Sequence, residues 1–441
     1  MPSIAILVNN LLNVTEFHLA SLGLTELKTV VCGAGINGIA TALWLRRAGV
    51  DLTLIDQKGP AAGTSFGNAG VLSSGSVIPI TVPGIARKAP AMLVDPKSPL
   101  FIRWGYLPKL LPFLRRYLKY ATLDHVRYYA NSMHNLIGDS LIQHIDLAKG
   151  TGAEKFISDH DYCYAYSTQN AFNSDSWAWE LRKSLGLEFD VIGGDEFSES
   201  DPLYHGKFCK VVRNKNHGRI SDPGAYLKAL FAEFVSLGGQ FEQAKVISLR
   251  QSNGSLSAVQ FSNGEMTADN FVFTLGPWSG DIARSLGLNV PFESEGGYHI
   301  ELINPSEMPL ETVKVASGKF VVTPMQSRIR LAGIVDFSGL SGPDNNTAIE
   351  LLKISAEELF PSIRYERMET WHGHRPTTAN SLPLIGKLQT FPNAFVGFGH
   401  QHVGLTGGAK TGRILANLVT GEEPCIDLSA FDPNTYNCSQ I

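Results

Sequence analysis

Hydrophobic and polar residues follow a distinct order near the start of the chain. An apolar run at residues 30–32 is followed by small residues and then by an apolar-periodic segment that continues through Ala48. A second apolar run at residues 52–55 ends in Asp56. This order predicts a strand, a tight turn, a helix and a second strand, because short apolar runs suit buried strands and a longer 3.6-residue period suits a helix.

The same kind of pattern continues along the chain. Residues 131–187 are predicted to be mostly helical around a polar interval at 159–169. Asp222 and Pro223 predict the start of a helix over 224–235, since an Asp N-cap followed by proline is a common helix opening. The remaining predicted elements are a strand at 240–249, a hairpin of 257–261 with 266–274, strands within 288–303 and 312–331, a strand at 393–399 and a helix at 406–419.

The composition is that of a soluble globular chain long enough for two domains. Of its 441 residues 44% are hydrophobic and 18% are charged, and the formal net charge of −4 argues against a general electrostatic affinity for nucleic acid. The five cysteines are scattered without a Cys-x-x-Cys pair, so neither a disulfide framework nor a structural zinc site is expected. The pairs His372/His374 and His400/His402 lack nearby cysteines and a clear carboxylate set, and no metal site is predicted.

The first 27 residues are predicted to be an extension outside the core of the fold. Their apolar run at residues 4–8 is short, follows no basic region and is broken by asparagines, which makes a poor secretory signal. No stretch of about 18 uninterrupted apolar residues occurs, so a membrane-spanning helix is not expected. A cytoplasmic location is therefore the expectation.

Gly33, Gly35 and Gly38 have the Gly-x-Gly-x-x-Gly spacing of a dinucleotide-binding unit. The first glycine permits the turn, the second lets backbone amides approach a pyrophosphate, and the third lets the helix pack closely on the strand. The helix N-terminus adds donors and a positive dipole end for the phosphates. Asp56, at the end of the second strand, is placed to accept from an adenosine ribose hydroxyl. The motif predicts a dinucleotide, and by itself suits NAD as well as FAD.

A second segment gives the motif a family context. The three glycines, Asp56 and the run Thr64-Ser65-Phe66-Gly67-Asn68-Ala69-Gly70 together resemble the N-terminal signature of the FAD-dependent D-amino-acid dehydrogenases, in the wider group of D-amino-acid oxidase, glycine oxidase and sarcosine oxidase. Without the resemblance, the run of small residues is as compatible with a flexible loop. The resemblance implies FAD as the cofactor, with Ser65, Asn68 and Ala69 beside the flavin ring.

The resemblance also implies contacts from later segments. Val246 would lie at the adenine through its backbone, the turn with Gly276 and Trp278 over the phosphates, and the helix start at residues 404–408 beside the flavin, where free amides stabilise negative charge. No cysteine lies between Cys209 and Cys425 and no histidine in the early segment, so non-covalent FAD is expected. The predicted FAD contacts are Gly33, Gly35, Ile36, Asn37, Gly38, Asp56, Gln57, Ser65, Asn68, Ala69, Gly70, Val246, Gly276, Trp278, Gly404, Leu405 and Thr406.

Three residues are candidates for the reaction itself. Arg375, before Pro376 in a pattern shared with the family, is predicted to bind the substrate carboxylate, since a guanidinium matches a carboxylate by paired hydrogen bonds. Tyr298 is implied to face the flavin as a lid or carboxylate partner, with plain packing as the alternative. His402 is a candidate base, although oxidation of a neutral amine requires none. Ala379 and Asn380 depart from the Pro-Asp of many relatives, which puts a local flavin contact in doubt.

Residues 97–123 combine basic and aromatic side chains without any acid. Pro108 and Pro112 predict short helices here rather than a long one. Such a block suits either a solvated helical face covering the substrate domain or a membrane surface. Respiratory members of the resembling family associate with membranes. Peripheral contact of this block with the inner face of the membrane is therefore the second interpretation.

These observations predict an α/β fold with a discontinuous Rossmann-like FAD-binding domain and an α+β substrate domain with a mainly antiparallel sheet. The FAD-binding domain is expected from residues 28–75, 215–290 and 380–441, and the substrate domain from 76–214 and 291–379. The implied reaction is oxidation of a D-amino acid, with electrons passed to a quinone or another carrier. Gly297-Tyr298-His299 and residues 399–406 resemble members acting on D-proline or hydroxy-D-proline more than they resemble the broad D-alanine enzymes.

Three alternatives stay open at this point. A sarcosine- or glycine-oxidase-like enzyme would share the fold and reduce dioxygen. An NAD-dependent dehydrogenase would share the glycine motif and nothing more. A non-catalytic electron-transfer flavoprotein would not need Arg375.

Overall fold

The computed structural model describes residues 27–95 and 98–437. The predicted N-terminal extension lies, apart from residue 27, outside the described residues, as does Lys97 of the basic block. The strands in the described part are β1 (Lys28–Cys32), β2 (Asp51–Asp56), β3 (Val71–Leu72), β4 (Leu100–Ile102), β5 (Ile157–Asp159), β6 (Tyr162–Tyr166), β7 (Phe189–Gly193), β8 (Lys210–Asn214), β9 (Gly218–Ile220), β10 (Gln240–Gln243), β11 (Val246–Ser252), β12 (Ser255–Phe261), β13 (Gly264–Thr267), β14 (Asn270–Phe273), β15 (Phe292–Ile303), β16 (Thr312–Val315), β17 (Phe320–Met325), β18 (Arg328–Phe337), β19 (Arg367–Thr378), β20 (Leu384–Lys387) and β21 (Ala394–Phe398).

The helices in the same ranges are α1 (Ile36–Arg47), α2 (Ile85–Val94), α3 (Leu107–Lys119), α4 (Leu123–Ile137), α5 (Ser140–Ala148), α6 (Gln169–Ser174), α7 (Ser176–Ser184), α8 (Gly194–Ser200), α9 (Pro223–Ser236), α10 (Ser279–Ser285), α11 (Asn346–Leu359) and α12 (Gly404–Thr420). None of them, within the described ranges, combines the length and apolar character needed to cross a bilayer.

A six-stranded sheet in the order β10-β2-β1-β14-β21-β20 carries the glycine motif. All of its pairings are parallel except that of β20 with β21. Its central strands are buried on both faces, which explains why they are continuous apolar runs in the sequence. Helices α1 and α12 pack together so closely that a Cβ at Gly412 would overlap Ala40.

The second large sheet has nine strands. Their order is β19-β15-β18-β17-β16-β6-β8-β7, and β4 lies beside β18. Its pairings are antiparallel except β16 with β6 and β18 with β4. Helix α11 packs Leu352 and Ala356 with Ile300 and Leu302 of β15 in one apolar cluster. Together the two sheets confirm the predicted fold class. The division into domains stays a prediction.

Several predicted elements differ in detail. The strand predicted at 240–249 is two strands in different sheets, and the predicted second hairpin arm divides likewise: β13 pairs with β12, whereas β14 joins β1 in the six-stranded sheet. The polar interval predicted at 159–169 contains the fully buried strand β6, whose tyrosines pack in an aromatic cluster. Tertiary pairing decides these cases because local pattern cannot say which sheet a strand joins.

The basic block forms the 13-residue helix α3 rather than short helices. Pro108 lies in its first turn, where no amide hydrogen bond is needed, and Pro112 removes just one further bond. The buried side of α3 packs Leu110, Phe113 and Tyr117 with Phe337 of β18 and Ala379 in one apolar cluster. This burial stabilises a helix that its prolines alone would shorten.

Candidate active site

A cavity of about 340 Å³ lies where β1, β2, β14 and β21 end at their carboxyl edges. The edge of a parallel sheet at which the strands end is where such folds bind ligands. The starts of α1 and α12 both reach this cavity, through Gly35 and Ile36 on one side and Gly404 and Leu405 on the other. Two positive helix ends therefore meet at a single cavity.

The first helix start is open to a phosphate. Gly35 is the N-cap of α1 and no side chain caps it, although the Ile36 amide donates to Ser65 Oγ at 3.1 Å. A Cβ at Gly38 would overlap the carbonyl oxygen of Gly33, and Gly33 itself has a left-handed φ of 105°. Glycine is required at both positions, as the motif predicts.

Asp56 is fixed by the backbone around it. Its Oδ2 accepts from the Ala34 amide at 2.9 Å, while Oδ1 accepts from the amides of Lys58 at 2.8 Å and Gly59 at 3.1 Å. The carboxylate lines the cavity, and Oδ2, which accepts one hydrogen bond, retains acceptor capacity there. It fits the predicted ribose contact.

The second helix start is bordered by the buried His400. Asn37 Nδ2 donates to His400 Nδ1 at 3.2 Å, so the proton is on Nε2, which donates to Thr411 Oγ1 at 2.9 Å. Burial lowers the pKa of His400 to about 3, and the ring is neutral. Asn37 Oδ1 is buried and accepts from none of the described residues, which leaves an acceptor for a ligand at the cavity wall.

The structure brings most of the predicted FAD contacts together. Those that line the cavity are Gly33, Gly35, Ile36, Asn37, Asp56, Gln57, Ser65, Asn68, Val246, Gly276, Trp278, Gly404 and Leu405. Gly38 lies behind the turn, Ala69 accepts from Thr323 Oγ1, Gly70 packs against Ile220, and Thr406 Oγ1 donates to the Val71 carbonyl. These four support the cavity from outside rather than line it.

Several lining residues were not predicted, among them Lys58, Thr64, Lys245, Pro376 and Gln401. Pro376 lines the cavity and its neighbour Arg375 does not, because alternation along β19 puts the two side chains on opposite faces. The others sit in loops whose positions depend on the fold, and no local pattern marks them.

Arg375 is held in a buried network. Its Nη1 donates to Glu295 Oε1 at 2.8 Å and to the Ile334 carbonyl at 2.7 Å, and its Nη2 donates to the Gly333 carbonyl at 3.1 Å. Ile334 has a left-handed φ of 67° where the β15–β18 register shifts, a strained conformation for a branched residue. Among the described residues none accepts from Nε, so Nε keeps a donor for a ligand, although Arg375 is not itself among the residues that line the cavity.

His402 joins the same network. Its Nε2 lies 2.9 Å from Glu295 Oε1, and its side chain is about one-third exposed. His402 itself does not line the cavity, although Gln401 beside it does. The residue that connects the two predicted groups, Glu295, was missed because its place opposite Arg375 is visible only in the strand register.

Tyr298 requires a correction. Its hydroxyl donates to Asp336 Oδ2 at 3.0 Å and its ring lies in the apolar cluster under α11, on the face of β15 shared with Ile300 and Leu302. The next residue, His299, points the other way and its Nδ1 donates to the Gly67 carbonyl at 3.0 Å. The structure therefore does not bring Tyr298 to the cavity, against the expectation that it faces the flavin.

A second buried network holds the early loop. Arg330, 1% exposed, donates to Glu301 Oε1 and also to the carbonyls of Phe66 and Asn68. Arg328 shares the same Glu301 oxygen at 2.6 Å. Burial alone would raise the pKa of Glu301, but the two arginines outweigh it and hold that pKa below its usual value. Within the described ranges no group of three or more His, Cys, Asp or Glu is arranged to hold a metal.

Fold and cavity define a Rossmann-type dinucleotide-binding protein. The model of the FAD dependent oxidoreductase family (DAO) matches residues 28–418. A D-amino-acid oxidase of Bradyrhizobium diazoefficiens is 36% identical over 92% of this chain and 98% of that protein. A D-amino acid dehydrogenase of Allorhizobium ampelinum is 28% identical over 94% of this chain and 100% of its own length.

Solved structures agree at the level of the fold. Glycine oxidase from Geobacillus kaustophilus superposes with a TM-score of 0.70 at 18% identity, covering 92% of this chain and 99% of its own. L-Proline dehydrogenase from P. horikoshii gives 0.68 at 15% identity, with 92% and 96% covered. The chain belongs to the DAO family of FAD-dependent oxidoreductases and is an enzyme with FAD as its cofactor. The two open helix ends, the glycine turn and the free Asn37 acceptor fit that cofactor.

Proposed function

We propose that this enzyme oxidises D-amino acids, with cyclic substrates such as D-proline or hydroxy-D-proline as the preferred group. The Nε donor of Arg375, which has no acceptor among the described residues, carries the proposal, because Nε together with Nη2 forms the side-on fork with which a guanidinium binds a carboxylate. Similarity to the Bradyrhizobium D-amino-acid oxidase over nearly its whole length supports the choice of substrate class.

The residues of this chain orient the substrate rather than react with it. When bound, FAD accepts the hydride from the substrate α-carbon. Arg375 binds the carboxylate, and its contacts with the Ile334 and Gly333 carbonyls fix the plane of the guanidinium. The amine loses one proton as the imine forms; a linear imine then hydrolyses to a 2-oxo acid and ammonia, while a cyclic one persists. Neutral His400 holds Asn37 and takes no proton.

The cofactor contacts and the domain division complete the proposal. FAD is held without a covalent bond by the thirteen predicted contacts that line the cavity, with Gly38, Ala69, Gly70 and Thr406 as support. The strands of the six-stranded sheet all come from the three predicted FAD-binding segments, and those of the nine-stranded sheet from the two predicted substrate segments. This distribution supports the boundaries proposed for the two domains.

The electron acceptor is proposed to be a quinone or another carrier. Dioxygen is the second candidate, because the Bradyrhizobium relative is named an oxidase. Anaerobic mixing with D- and L-amino acids, including proline, tests the main proposal: D-substrates should bleach the visible flavin absorbance and L-substrates should not. If no D-amino acid bleaches it, the proposal fails. Oxygen uptake against quinone-analogue reduction then separates the two acceptors.

Helix α3 is proposed to touch the membrane surface. Its outer side exposes Lys109, Arg115, Arg116 and Lys119 beside Leu111 and Leu118, with Trp104 just before the helix 67% exposed. Basic and apolar side chains on one face suit anionic lipid. Vesicles with phosphatidylglycerol should bind the enzyme and phosphatidylcholine vesicles should not.

A charge-reversal variant sharpens this test. Replacing the four basic residues of α3 by Glu should abolish vesicle binding. The control variant carries the same change at four exposed residues outside α3 and should bind vesicles more strongly than the α3 variant; these residues are Lys149, Lys183, Lys228 and Arg364. Equal loss in both variants would point to net charge alone and contradict a role for α3.

A further inference from the structure

Glu295 is the buried centre of the network around Arg375. It lies in β15 directly opposite Arg375 of β19 and is fully buried. Its Oε1 accepts from Arg375 Nη1 at 2.8 Å and lies 2.9 Å from His402 Nε2. Each of those partners is adjacent in sequence to a cavity-lining residue, Pro376 and Gln401. Glu295 thus lies just behind the wall of the cavity.

The second oxygen of Glu295 has no partner. Among the described residues none donates to Oε2, although the atom is buried. An unsatisfied buried acceptor destabilises a fold by about 1–3 kcal/mol. The ion pair of Oε1 with Arg375 does not satisfy Oε2, and a ligand that brings its own donor would remove this penalty.

The titratable groups around Glu295 come from three other elements. Arg375 faces it from β19, His402 from the short turn before α12, and Tyr117 from the buried side of α3. Burial raises the pKa of Glu295, but His402 and Arg375 reverse that effect and hold it below the usual value. The carboxylate is ionised, and it offsets the positive charge of Arg375.

Resting on the proposed function, we infer that Glu295 is a specificity-determining residue that makes the Arg375 site select zwitterionic amino acids over simple carboxylates. Arg375 alone would attract any carboxylate anion. With Glu295 beside it the site has little net charge, so an anion gains less from binding. An amino acid keeps its affinity, because its carboxylate meets the Nε–Nη2 edge while its ammonium meets the negative potential of Oε2.

A matched pair of achiral ligands tests this selectivity without turnover. 2-Aminoisobutyrate has no hydrogen on its α-carbon and is not oxidised, and isobutyrate is the same molecule with hydrogen in place of the amine. Titration of the flavin spectrum of the holoenzyme should show 2-aminoisobutyrate binding at least about tenfold more tightly. Equal affinities in the unaltered enzyme would overturn the inference.

Glu295→Gln should remove the preference for 2-aminoisobutyrate. The variant should bind isobutyrate more tightly and 2-aminoisobutyrate more weakly than the unaltered enzyme does. The control is Glu293→Gln, which removes a buried carboxylate from the same strand at a position where it accepts from Tyr106 and does not contact Arg375. This control should keep the preference within twofold. If both variants lose it, or if Glu295→Gln keeps it, the inference is wrong.

Loss of FAD in Glu295→Gln and failure of the proposed function give different results from those above. If Glu295→Gln does not retain FAD, Glu295→Asp keeps the charge and should keep the preference; an Asp variant that holds FAD but binds both ligands equally would contradict the inference. Failure of the proposed function looks different: no D-amino acid bleaches the flavin, although 2-aminoisobutyrate still shifts its spectrum.

Discussion

The cofactor cavity and the Arg375 network are formed by different kinds of chemical group. Around the cavity, the chain presents backbone amides, missing Cβ atoms and two uncapped helix starts. Around Arg375, it presents ionisable side chains that share one oxygen atom of the fully buried Glu295. Backbone contacts depend on shape and tolerate many neighbouring side chains, whereas a buried charge depends on each partner being present. Substitutions around the cavity should therefore impair cofactor binding through steric overlap. Substitutions around Arg375 should act through the loss of single charged or hydrogen-bonding atoms.

The largest effect is expected from Gly38→Ala. Alanine would ordinarily stabilise a helix by about 1 kcal/mol relative to glycine, but here its Cβ overlaps the Gly33 carbonyl and pushes α1 off β1. We expect purified protein with no bound flavin, measured as the ratio of visible to ultraviolet absorbance. The control is Gly152→Ala, where φ is not positive and a Cβ would lie in open space, which should retain full flavin. Normal flavin content in Gly38→Ala would refute the steric account.

Arg330→Met should be the next most severe change. It leaves Glu301 with Arg328 alone and releases the Phe66 and Asn68 carbonyls, so we expect a loss of about 3–5 kcal/mol in the free energy of unfolding and weaker FAD binding. Denaturant titration measures the free energy of unfolding, and flavin release measures FAD binding. Arg367→Met, which breaks an exposed pair, should leave Tm unchanged. A similar Tm for both variants would show that burial does not decide the outcome.

Arg375→Lys tests the carboxylate role directly. Lysine keeps the charge but loses the planar fork, so KM for a D-substrate should rise about 10- to 100-fold, or about 1.4–2.8 kcal/mol, with a smaller change in kcat. Steady-state kinetics measure both constants, and the exposed Arg364→Lys is the control. An unchanged KM would contradict carboxylate binding by Arg375.

The smallest effect concerns pH. Burial lowers the pKa of His217 to about 4, below the value near 6.5 of an unfolded chain. The unfolded state therefore binds a proton that the folded state does not, and stability should fall as pH drops from 6.5 towards 4, by about 1.4 kcal/mol per pH unit for this group. His217→Gln should flatten the dependence by that amount in denaturant titrations between pH 6.5 and 5. The same change at exposed His205 is the control, and an unchanged slope in His217→Gln would contradict the assignment.

Prediction from sequence succeeded where chemistry is local in the chain. The glycine turn, Asp56 and the start of α12 border one cavity as expected, since each depends on a few consecutive residues and one turn type. It was less successful for strands: β14 was assigned to a hairpin, and Tyr298 was placed at the flavin by family resemblance although it lies on the α11 side of β15. Which face of a strand is buried against a helix depends on the partner, and the partner is distant in sequence.

The sequence by itself determined the cofactor cradle, because a missing Cβ or a free helix amide follows from the residues at those positions. Only the tertiary structure decided the charge around Arg375. Glu295, Arg375 and His402 come from three separate segments, and the register of β15 on β19 and the turn before α12 bring them to one shared oxygen atom. Coulomb interactions depend on distance and burial, and neither is set until the chain has folded.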